Sequence, residues 1–433
     1  MNKTTGKNID FRVAMISEHG DPLAPLGGQQ SGGQNVYVYE LARSLSKLGI
    51  KVDVFTRWEN RKSAQIVRFA KRAKVIRLKA GPRHFLSKDK FGPLMPEFVE
   101  HFLEYTRKNK IKYSVIHTHY YFSGWAGLQL RRILGVPVVA TFHSLGLLKK
   151  KALGERDTSP TERTKIEKQI MEEANLIVAT SPQEQGDMVA VYKEKDIKTV
   201  IIPPGVNLRR FIPVNKLTAR KRMQIPQGKK IVVFAGKMER RKGGLTLVEA
   251  VKEIRDESPD LYKNLIVYMF SGDPRIGRKK EKQESTARHD LKDAINRLGK
   301  DSPIRLLPGI GQEKLHYFYA AADVVVMPSY YEPFGMVAIE AMASGTPVVA
   351  SSVGGLKWTV QDGITGLHAK PKDAKSFAKQ ITRILTDEKL AKKMSDLCPE
   401  YVKERFSWPG IGKSLLKEYK RVASQSVNKI TKK

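Results

Sequence analysis

The chain has 433 residues, of which 41% are hydrophobic and 28% are charged, and its formal net charge is +34. This length suits two domains of about 200 residues each, and the ordinary composition excludes a disordered or fibrous protein. The single cysteine, Cys398, excludes an internal disulfide and a cysteine-based metal cluster, so we expect a protein of the reducing cytoplasm.

The high positive charge predicts attraction to anions, which include phosphate-bearing substrates, anionic lipid surfaces and nucleic acid. Much of it lies in stretches such as residues 61–83, which also suit a solvated helix face. The start of the chain lacks a basic segment followed by a long apolar run, so we expect no secretory signal. The longest apolar runs, such as IVVFAG and ADVVVMP, are far shorter than the roughly 20 residues that span a bilayer.

Short β-branched runs alternate with helical stretches through both halves of the chain. The first half contains RVAMIS, KVDVFT, SVIHTH, VPVVATF, LIVATS and TVIIPP, and the second contains KIVVFAG, LIVYMFS, IRLLPG, ADVVVMPS and TPVVAS. This alternation predicts an α/β protein with two doubly wound, Rossmann-like domains, whose parallel sheets carry helices on both faces. Ligands of such sheets bind beyond the carboxyl ends of the strands. The loops that follow strands are therefore the expected functional sites.

The two halves are joined by the proline-rich stretch PPGVNLRRFIPVNK, and we place a hinge near Pro203 to Val214. We predict a first domain over residues 1–205 and a second domain over residues 206–408. The stretch RFSWPGIGKSLLKEYKRV carries aromatic and leucine positions at helical spacing. We therefore expect residues 409–433 to form a helix that returns to the first domain and ends in a basic tail.

A glycine-rich loop follows the first strand and leads into an amphipathic helix that opens near Asn35. Gly27, Gly28, Gly32 and Gly33 let the backbone approach a ligand closely, and the N–H groups of a helix start favour an anion such as phosphate. The spacing is not G-x-G-x-x-G, so the dinucleotide fingerprint is excluded. A plain turn remains the alternative for this loop.

The stretch PSYYEPFGMVAIEAMASGTP contains two carboxylates around one predicted helix start. Glu332 follows a strand, and Glu340 lies about one and a half turns inside the helix that follows. Carboxylates accept hydrogen bonds from sugar hydroxyls, and the N–H groups of residues 334–337 can take a diphosphate. The alternative is that Glu332 only caps the helix and that Glu340 is solvated or ion-paired.

The stretch GKMERRKGG follows the first strand of the second half, where Lys237 and Lys242 can neutralise a leaving diphosphate. Such basic clusters also arise by chance in a protein of this charge.

His117 and His119 suggest a metal pair, but without a cysteine or acidic partner nearby they read as strand and cleft residues. No D-x-D sequence occurs, which argues against a divalent ion that bridges phosphates.

Five blocks occur in order along the chain: GGQNVYVYELARSLSKLGIKVDVFTR, HTHYYFSGWAG, TFHSLG, FAGKMERRKG and EPFGMVAIEAMASGTPVVASSVGG. Together they resemble glycosyltransferase family 4, a family of the GT-B fold, over nearly the whole chain. HGDPLAPLGG and DTSPTER resemble the branch that contains sucrose-phosphate synthase and the inositol-phosphate N-acetylglucosaminyltransferase. The resemblance implies a retaining hexosyltransferase that needs no cofactor or essential metal, with a sugar nucleotide bound by the second domain and a phosphorylated acceptor bound by the first.

The resemblance also implies a role for each matching residue. Glu332 would contact the donor sugar, Glu340 the ribose, and His143 the sugar near the reacting carbon. Lys237 stands where the family usually has arginine, which keeps the charge but loses the bidentate fork. The remaining donor-side residues would be Lys242, Gly33, Phe334, Gly335, Met336 and Val337. The acceptor side would be formed by Gln34, Asn35, Lys88, Tyr120, Ser144 and Arg163, each of which also has an ordinary surface interpretation.

These residues predict transfer of a hexosyl group, with UDP-glucose as the favoured donor and GDP-mannose or UDP-N-acetylglucosamine as open choices. Three alternatives remain. The first is a membrane-surface glycosyltransferase with a lipid or polysaccharide-precursor acceptor, held at the inner membrane surface by residues 61–83. The second is a non-enzymatic polyanion-binding protein, although no recognition module for nucleic acid appears. The third is a phosphorylase that carries pyridoxal phosphate on a lysine.

Overall fold

The computed structural model describes residues 11–24, 32–87, 90–157, 159–194, 196–237, 239–271 and 286–430. A first sheet of eight strands has the order β3-β4-β2-β1-β5-β6-β7-β8, and all neighbours are parallel except β3 and β4. Its strands are β1 (Arg12–Ile16), β2 (Lys51–Arg57), β3 (Ile66–Ala70), β4 (Ala73–Leu78), β5 (Val115–His119), β6 (Val138–Thr141), β7 (Leu176–Ala179) and β8 (Thr199–Ile201).

A second sheet of six parallel strands has the order β11-β10-β9-β12-β13-β14. Four-residue runs such as VVVM and VVAS are buried along their whole length, which is typical of parallel strands covered by helices on both faces. Its strands are β9 (Lys230–Ala235), β10 (Leu265–Ser271), β11 (Ile304–Pro308), β12 (Val324–Met327), β13 (Val348–Ser351) and β14 (Gly366–Ala369).

Helices connect the strands within each sheet. The helices of the first half are α1 (Gly33–Lys47), α2 (Met95–Lys108), α3 (Tyr121–Leu134), α4 (Gly146–Leu153), α5 (Glu162–Glu173) and α6 (Pro182–Tyr192). Those of the second half are α7 (Lys216–Arg222), α8 (Gly244–Glu257), α9 (Pro259–Lys263), α10 (Thr286–Arg297), α11 (Gln312–Ala321), α12 (Met336–Ala343), α13 (Leu356–Thr359), α14 (Ala374–Thr386), α15 (Glu388–Arg405) and α16 (Trp408–Ile430).

The strand order reverses direction beside β1 in the first sheet and beside β9 in the second. At such a point the neighbouring connections leave on opposite faces, and a crevice opens beyond the carboxyl ends of the strands. The loops after β1, β5 and β6 therefore line one crevice, and those after β9, β11 and β12 line the other. The predicted fold, with two Rossmann-like domains, is confirmed.

The last helix, α16, returns to the first sheet as predicted. Its apolar side chains recur every three or four positions and pack in one buried cluster with residues of β1, α1 and β2; they are Trp408, Ile411, Leu415, Tyr419 and Val422. A Cβ atom built on Gly412 would lie 2.3 Å from Ser44 Oγ, so a glycine is needed where α16 crosses α1. The limits 1–205, 206–408 and 409–433 remain a prediction, and the first of them falls between the two sheets.

Among the described residues, no helix combines the length and the apolar character that a membrane span requires.

Candidate active site

A cavity of about 580 Å³ lies between the two sheets, at the carboxyl ends of their strands. This volume is in the range of pockets that bind small molecules. Most of the predicted site residues line it, and they come from both halves of the chain: Gly33, Gln34, Asn35, Tyr120, His143, Ser144, Lys237, Lys242, Glu332, Phe334, Gly335, Met336, Val337 and Glu340. Gly27, Gly28 and Lys88 lie outside the described residues.

The predicted donor loop places Glu332 against Lys242. The Lys242 ammonium forms a short ion pair with the Glu332 carboxylate, and Ser329 Oγ donates a hydrogen bond of 3.4 Å to the same carboxylate. Only 8% of Glu332 is exposed. Burial of a charge is tolerable when a hydrogen-bonded partner is present, and each of these two groups provides that partner for the other.

Two glycines hold the backbone of this loop in place. A Cβ atom built on Gly354 would lie 2.3 Å from the carbonyl oxygen of Glu332, and one built on Gly355 would lie 2.2 Å from that of Pro333. Gly354 also has a φ of +46°, and Gly355 N donates to the carbonyl oxygen of Glu332 at 3.0 Å. The segment SVGG is therefore glycine-rich because the Glu332 loop packs directly on its backbone.

Helix α12 begins beside this loop, as the sequence predicted. Gly335 precedes it with a φ of +103°, and a Cβ atom there would lie 2.5 Å from Leu356 Cδ2. Gly335, Met336 and Val337 all line the cavity, so the positive end of the helix dipole faces the ligand space. This arrangement suits a phosphate group.

Glu340 is buried one turn into α12, with 6% of its surface exposed. Gln312 Nε2 donates to its carboxylate at 3.1 Å, and the Tyr319 hydroxyl donates at 3.5 Å. Burial raises the pKa of Glu340 to about 8, although these two hydrogen bonds oppose the shift. Glu340 is therefore buried rather than solvated, and within the described part of the chain its side-chain partners are these two hydrogen-bond donors. Its partner Gln312, just after β11, was not singled out from the sequence.

The glycine loop of the first half, at Gly32 and Gly33, lies directly opposite the donor wall, which is formed by the Glu332 loop, Lys237 and the start of α12. A Cβ atom built on Gly33 would lie 3.6 Å from Met336 Cγ, and one built on Gly32 would lie 3.8 Å from Lys237 Nζ. These are ordinary van der Waals distances, so the glycine loop and the donor loop face each other across a gap that one methyl group would fill. Lys237 and Gly33, which were both assigned to the diphosphate, are brought to the same place.

His143 follows β6 and takes a left-handed conformation, with a φ of +59°. Its Nε2 lies 3.1 Å from His119 Nδ1, and its ring packs edge-on against Tyr37 at 5.0 Å between centroids. Burial lowers the pKa of His143 to about 3, so the imidazole is neutral near pH 7 and offers hydrogen bonds rather than charge. Within the described ranges, no group of three or more His, Cys, Asp or Glu side chains is placed to hold a metal ion.

Two of the predicted acceptor-side residues, Tyr120 and Ser144, contact Arg163, which is 2% exposed and lies behind the cavity wall. Its Nη2 donates to the Ser144 carbonyl at 2.6 Å and to the Ser144 hydroxyl at 3.0 Å, and its Nη1 donates to the Tyr120 hydroxyl at 3.3 Å. Nε donates to Glu167 at 2.8 Å. Arg163 therefore fixes Tyr120 and Ser144, and these two residues line the cavity.

The amides of Gln34 and Asn35 hold the glycine loop from within. Gln34 Nε2 donates to Ser17 Oγ at 3.0 Å, and Asn35 Nδ2 donates to the carbonyl oxygen of Asp21 at 2.8 Å. Asn35 Oδ1 accepts from Gly32 N at 2.9 Å. Both residues line the cavity, so they can order the loop and still face a ligand.

Besides Gln312, the cavity is lined by other residues that the sequence did not single out, among them His19, Lys149 and Tyr331. His19 follows β1, and its Nδ1 lies 2.7 Å from the carboxylate of Glu18. The position of His19 in a loop that follows a strand could have identified it from the sequence. Lys149 belongs to the basic run LLKKKALG, which reads as a solvated face, yet it lines the cavity. Tyr331 directly precedes Glu332 and also lines the cavity.

Two family descriptions match the chain. "Glycosyltransferase Family 4" matches residues 31–210, and "Glycosyl transferases group 1" matches residues 215–397. The curated D-inositol 3-phosphate glycosyltransferase of Corynebacterium aurimucosum is 35% identical over 402 residues, which cover 92% of this chain and 93% of that relative. The protein of the same name from Streptomyces avermitilis is 35% identical over 400 residues, which cover 92% of this chain and 84% of that one.

Solved structures show the same architecture. Sucrose-phosphate synthase from Thermosynechococcus elongatus superposes with a TM-score of 0.87 at 36% identity, over 96% of this chain and all 100% of that one. Anabaena HepE in complex with UDP-glucose superposes with a TM-score of 0.70 at 16% identity, over 95% of this chain and 99% of that one, a likeness of fold alone. With its two-sheet cleft and with relatives of this identity over nearly its full length, the chain belongs to glycosyltransferase family 4 and is a glycosyltransferase of the GT-B fold.

Proposed function

We propose that this enzyme transfers glucose from UDP-glucose to a hydroxyl of a small phosphorylated acceptor, with retention at the anomeric carbon and without an essential metal. The observation that carries the proposal is the single cavity in which the Glu332 and Glu340 carboxylates face the Tyr120 and Ser144 pair. A donor-binding site and an acceptor-binding site within one small cavity suit direct transfer between two bound substrates.

The donor assignment rests on the chemistry of the second-half wall. The Glu332 carboxylate can accept hydrogen bonds from sugar hydroxyls, and Glu340 can accept them from the ribose. Lys242 is held by Glu332 and lies where it can meet the diphosphate together with Lys237 and the start of α12. This wall suits a sugar nucleotide in general, and UDP-glucose is the donor that we select.

The acceptor assignment rests on the first-half wall and on the relatives. Inositol 3-phosphate is named in one group of relatives, and sucrose phosphate is the product named in another; both compounds combine a hydroxylated ring with a phosphate. Lys149 lines the cavity on this side, with Nζ 2.9 Å from Asp157 and 3.0 Å from Ser159 Oγ. Its ammonium, with the hydroxyls of Tyr120 and Ser144, suits a phosphate of the acceptor.

In the proposed reaction, the acceptor hydroxyl attacks the anomeric carbon on the face from which the nucleotide leaves. The bond from the anomeric carbon to the acceptor oxygen forms, and the bond to the β-phosphate oxygen breaks. The acceptor proton passes to the departing β-phosphate, so no enzymic base is needed. Lys237 and Lys242 stabilise the developing charge on the diphosphate, and neutral His143 contributes a hydrogen bond to the sugar.

The test is a screen of the purified protein with UDP-glucose, GDP-mannose and UDP-N-acetylglucosamine. Each donor is paired with fructose 6-phosphate, inositol phosphate or lipid vesicles, with and without EDTA, and nucleotide release is measured. We expect UDP release from UDP-glucose with a soluble phosphorylated acceptor, unchanged by EDTA, and an α-linked product by NMR. Release only with vesicles, loss of activity in EDTA or a β-linked product would each contradict part of the proposal.

A further inference from the structure

Helix α4 belongs to the first half of the chain but is hydrogen-bonded from the second half at both of its ends. At its start, the Tyr331 hydroxyl accepts a hydrogen bond of 2.9 Å from Leu145 N. At its end, Lys372 Nζ donates to the carbonyl oxygen of Ala152 at 3.4 Å. A cation at a helix C-terminus is also favourable to the helix dipole. One short helix therefore bridges the cleft.

The start of α4 is capped by three different side chains. Besides the bond from Leu145 to Tyr331, Gly146 N donates to the Glu167 carboxylate at 3.0 and 3.1 Å, and Leu147 N donates to the Tyr192 hydroxyl at 3.2 Å. The first N–H groups of a helix have no partner within the helix, so such caps are needed when the start is buried. Glu167 and Tyr192 come from α5 and α6 of the same half. Tyr331 alone of these three crosses the cleft, so this cap is complete only when the two halves are closed.

The two residues of the contact between Leu145 and Tyr331 are each adjacent in sequence to predicted site residues. Leu145 directly follows His143 and Ser144, and Tyr331 directly precedes Glu332. We infer that Tyr331 is a positioning residue, which locks the segment carrying His143 and Ser144 against the donor loop when the cleft closes. The inference rests on the proposed function, because it takes Ser144 to face the acceptor.

The effect of Tyr331 on closure of the cleft depends on one backbone donor, the N–H group of Leu145. In an open cleft, Leu145 N–H can bond to water, whereas in the closed cleft the phenol replaces that water. Without the hydroxyl, closure would bury an N–H group with no partner, and this opposes closure. Burial raises the pKa of Tyr331, so the phenol stays neutral through mildly basic pH. The contact is therefore expected to persist from neutral to mildly basic pH.

The test compares Tyr331→Phe with Tyr330→Phe. The control removes the hydroxyl of the neighbouring tyrosine, which contacts Thr246 Oγ1 at 3.0 Å within the second half. Three quantities are measured: the transfer kinetics, the Kd for UDP by calorimetry, and the radius of gyration by small-angle X-ray scattering with and without UDP. The scattering experiment needs no acceptor, so it stays informative if every acceptor in the screen fails.

We expect Tyr331→Phe to lower kcat/KM for the acceptor by about tenfold, the size typical of a buried donor that loses its partner. The compaction on UDP binding should shrink, and UDP affinity should fall with it by at most about tenfold, because UDP must then close a cleft in which Leu145 N–H has lost its partner. Tyr330→Phe should match the wild type in all three measurements. The inference is overturned if Tyr331→Phe compacts and turns over like the control, or if it slows transfer or weakens UDP while its compaction on UDP binding equals that of the control.

Discussion

The ammonium of Lys242 and the carboxylate of Glu332 form an ion pair inside the cleft, on the wall assigned to the donor. Each of the two groups is expected to meet a different part of the sugar nucleotide, namely the sugar hydroxyls for Glu332 and the diphosphate for Lys242. Their mutual contact holds both side chains in place before the donor arrives. Less ordering is then needed when the donor binds, which is the benefit of a preorganised site.

Glu332→Gln is expected to lower kcat by about 100-fold or more, a loss typical of one removed electrostatic contact in an active site. The amide keeps the shape of the side chain but removes the negative charge that Lys242 now faces. Circular dichroism should show an unchanged fold. Turnover within about threefold of the wild type would remove Glu332 from the site.

The stability of the protein is expected to depend on pH through Glu340. Its pKa of about 8 in the folded protein lies above the ordinary value of about 4.3. The folded state therefore binds this proton more tightly than the unfolded state, and the free energy of unfolding should fall as pH rises from about 4 towards about 8. Glu340→Gln should lose this part of the dependence in thermal melts. A variant with the same pH profile as the wild type would contradict the shifted pKa.

The affinity for the nucleotide should also depend on the ionisation of Glu340, but it should rise with pH where the stability falls. Ribose hydroxyls donate to the ionised form, so UDP affinity is expected to rise with pH up to about 8, by at most about tenfold per pH unit. Calorimetry with UDP at a series of pH values measures this slope. Glu340→Gln provides the control, since it should bind more weakly and should lack this component of the slope.

Gly354→Ala is expected to displace the Glu332 loop and lower turnover by at least about tenfold. A methyl group there would meet the carbonyl oxygen of Glu332 at 2.3 Å. Gly363→Ala is the matched control, because Gly363 also has a positive φ, of +75°, but no atom lies within 4 Å of its built Cβ. The control should lose only about 1–3 kcal/mol of stability through backbone strain. Equal turnover in the two variants would contradict the packing argument.

Arg163→Lys is expected to raise the acceptor KM by about tenfold, because a lysine cannot keep the three-way contact with Tyr120, Ser144 and Glu167. UDP affinity should be unchanged. Arg220→Lys serves as the control, since Arg220 is a buried arginine of the second half that bonds Ala321 and Asp323. That variant should lower the melting temperature without a change in acceptor KM. A raised UDP Kd in Arg163→Lys would contradict the separation of the two walls.

Several features were predictable because they are local in the chain. The alternation of β-branched runs and helices predicted both sheets, since burial on both faces of a parallel strand requires a continuous apolar run. The apolar spacing after Phe406 predicted that α16 would pack on another surface. Glu332 and Glu340 were placed in a ligand site because their spacing falls at a strand-to-helix turn.

Other features depend on residues that are distant in sequence. Lys149 reads as one more solvated lysine, but it lies on α4 and lines the cavity. The sequence predicted that Arg163 contacts the acceptor. In the structure, its N–H groups instead donate hydrogen bonds to Tyr120, Ser144 and Glu167 behind the cavity wall. The raised pKa of Glu340 follows from its burial under α11.

The sequence by itself determined the family and the two-sheet fold and singled out Glu332 and Glu340, because each of these is written in short contiguous patterns. The tertiary structure decided which side chains line the cavity and which support them from behind. It also decided that Tyr331 reaches Leu145, a contact between residues 186 positions apart. Such contacts arise from how the two halves close on each other, and local periodicity carries no information about that geometry.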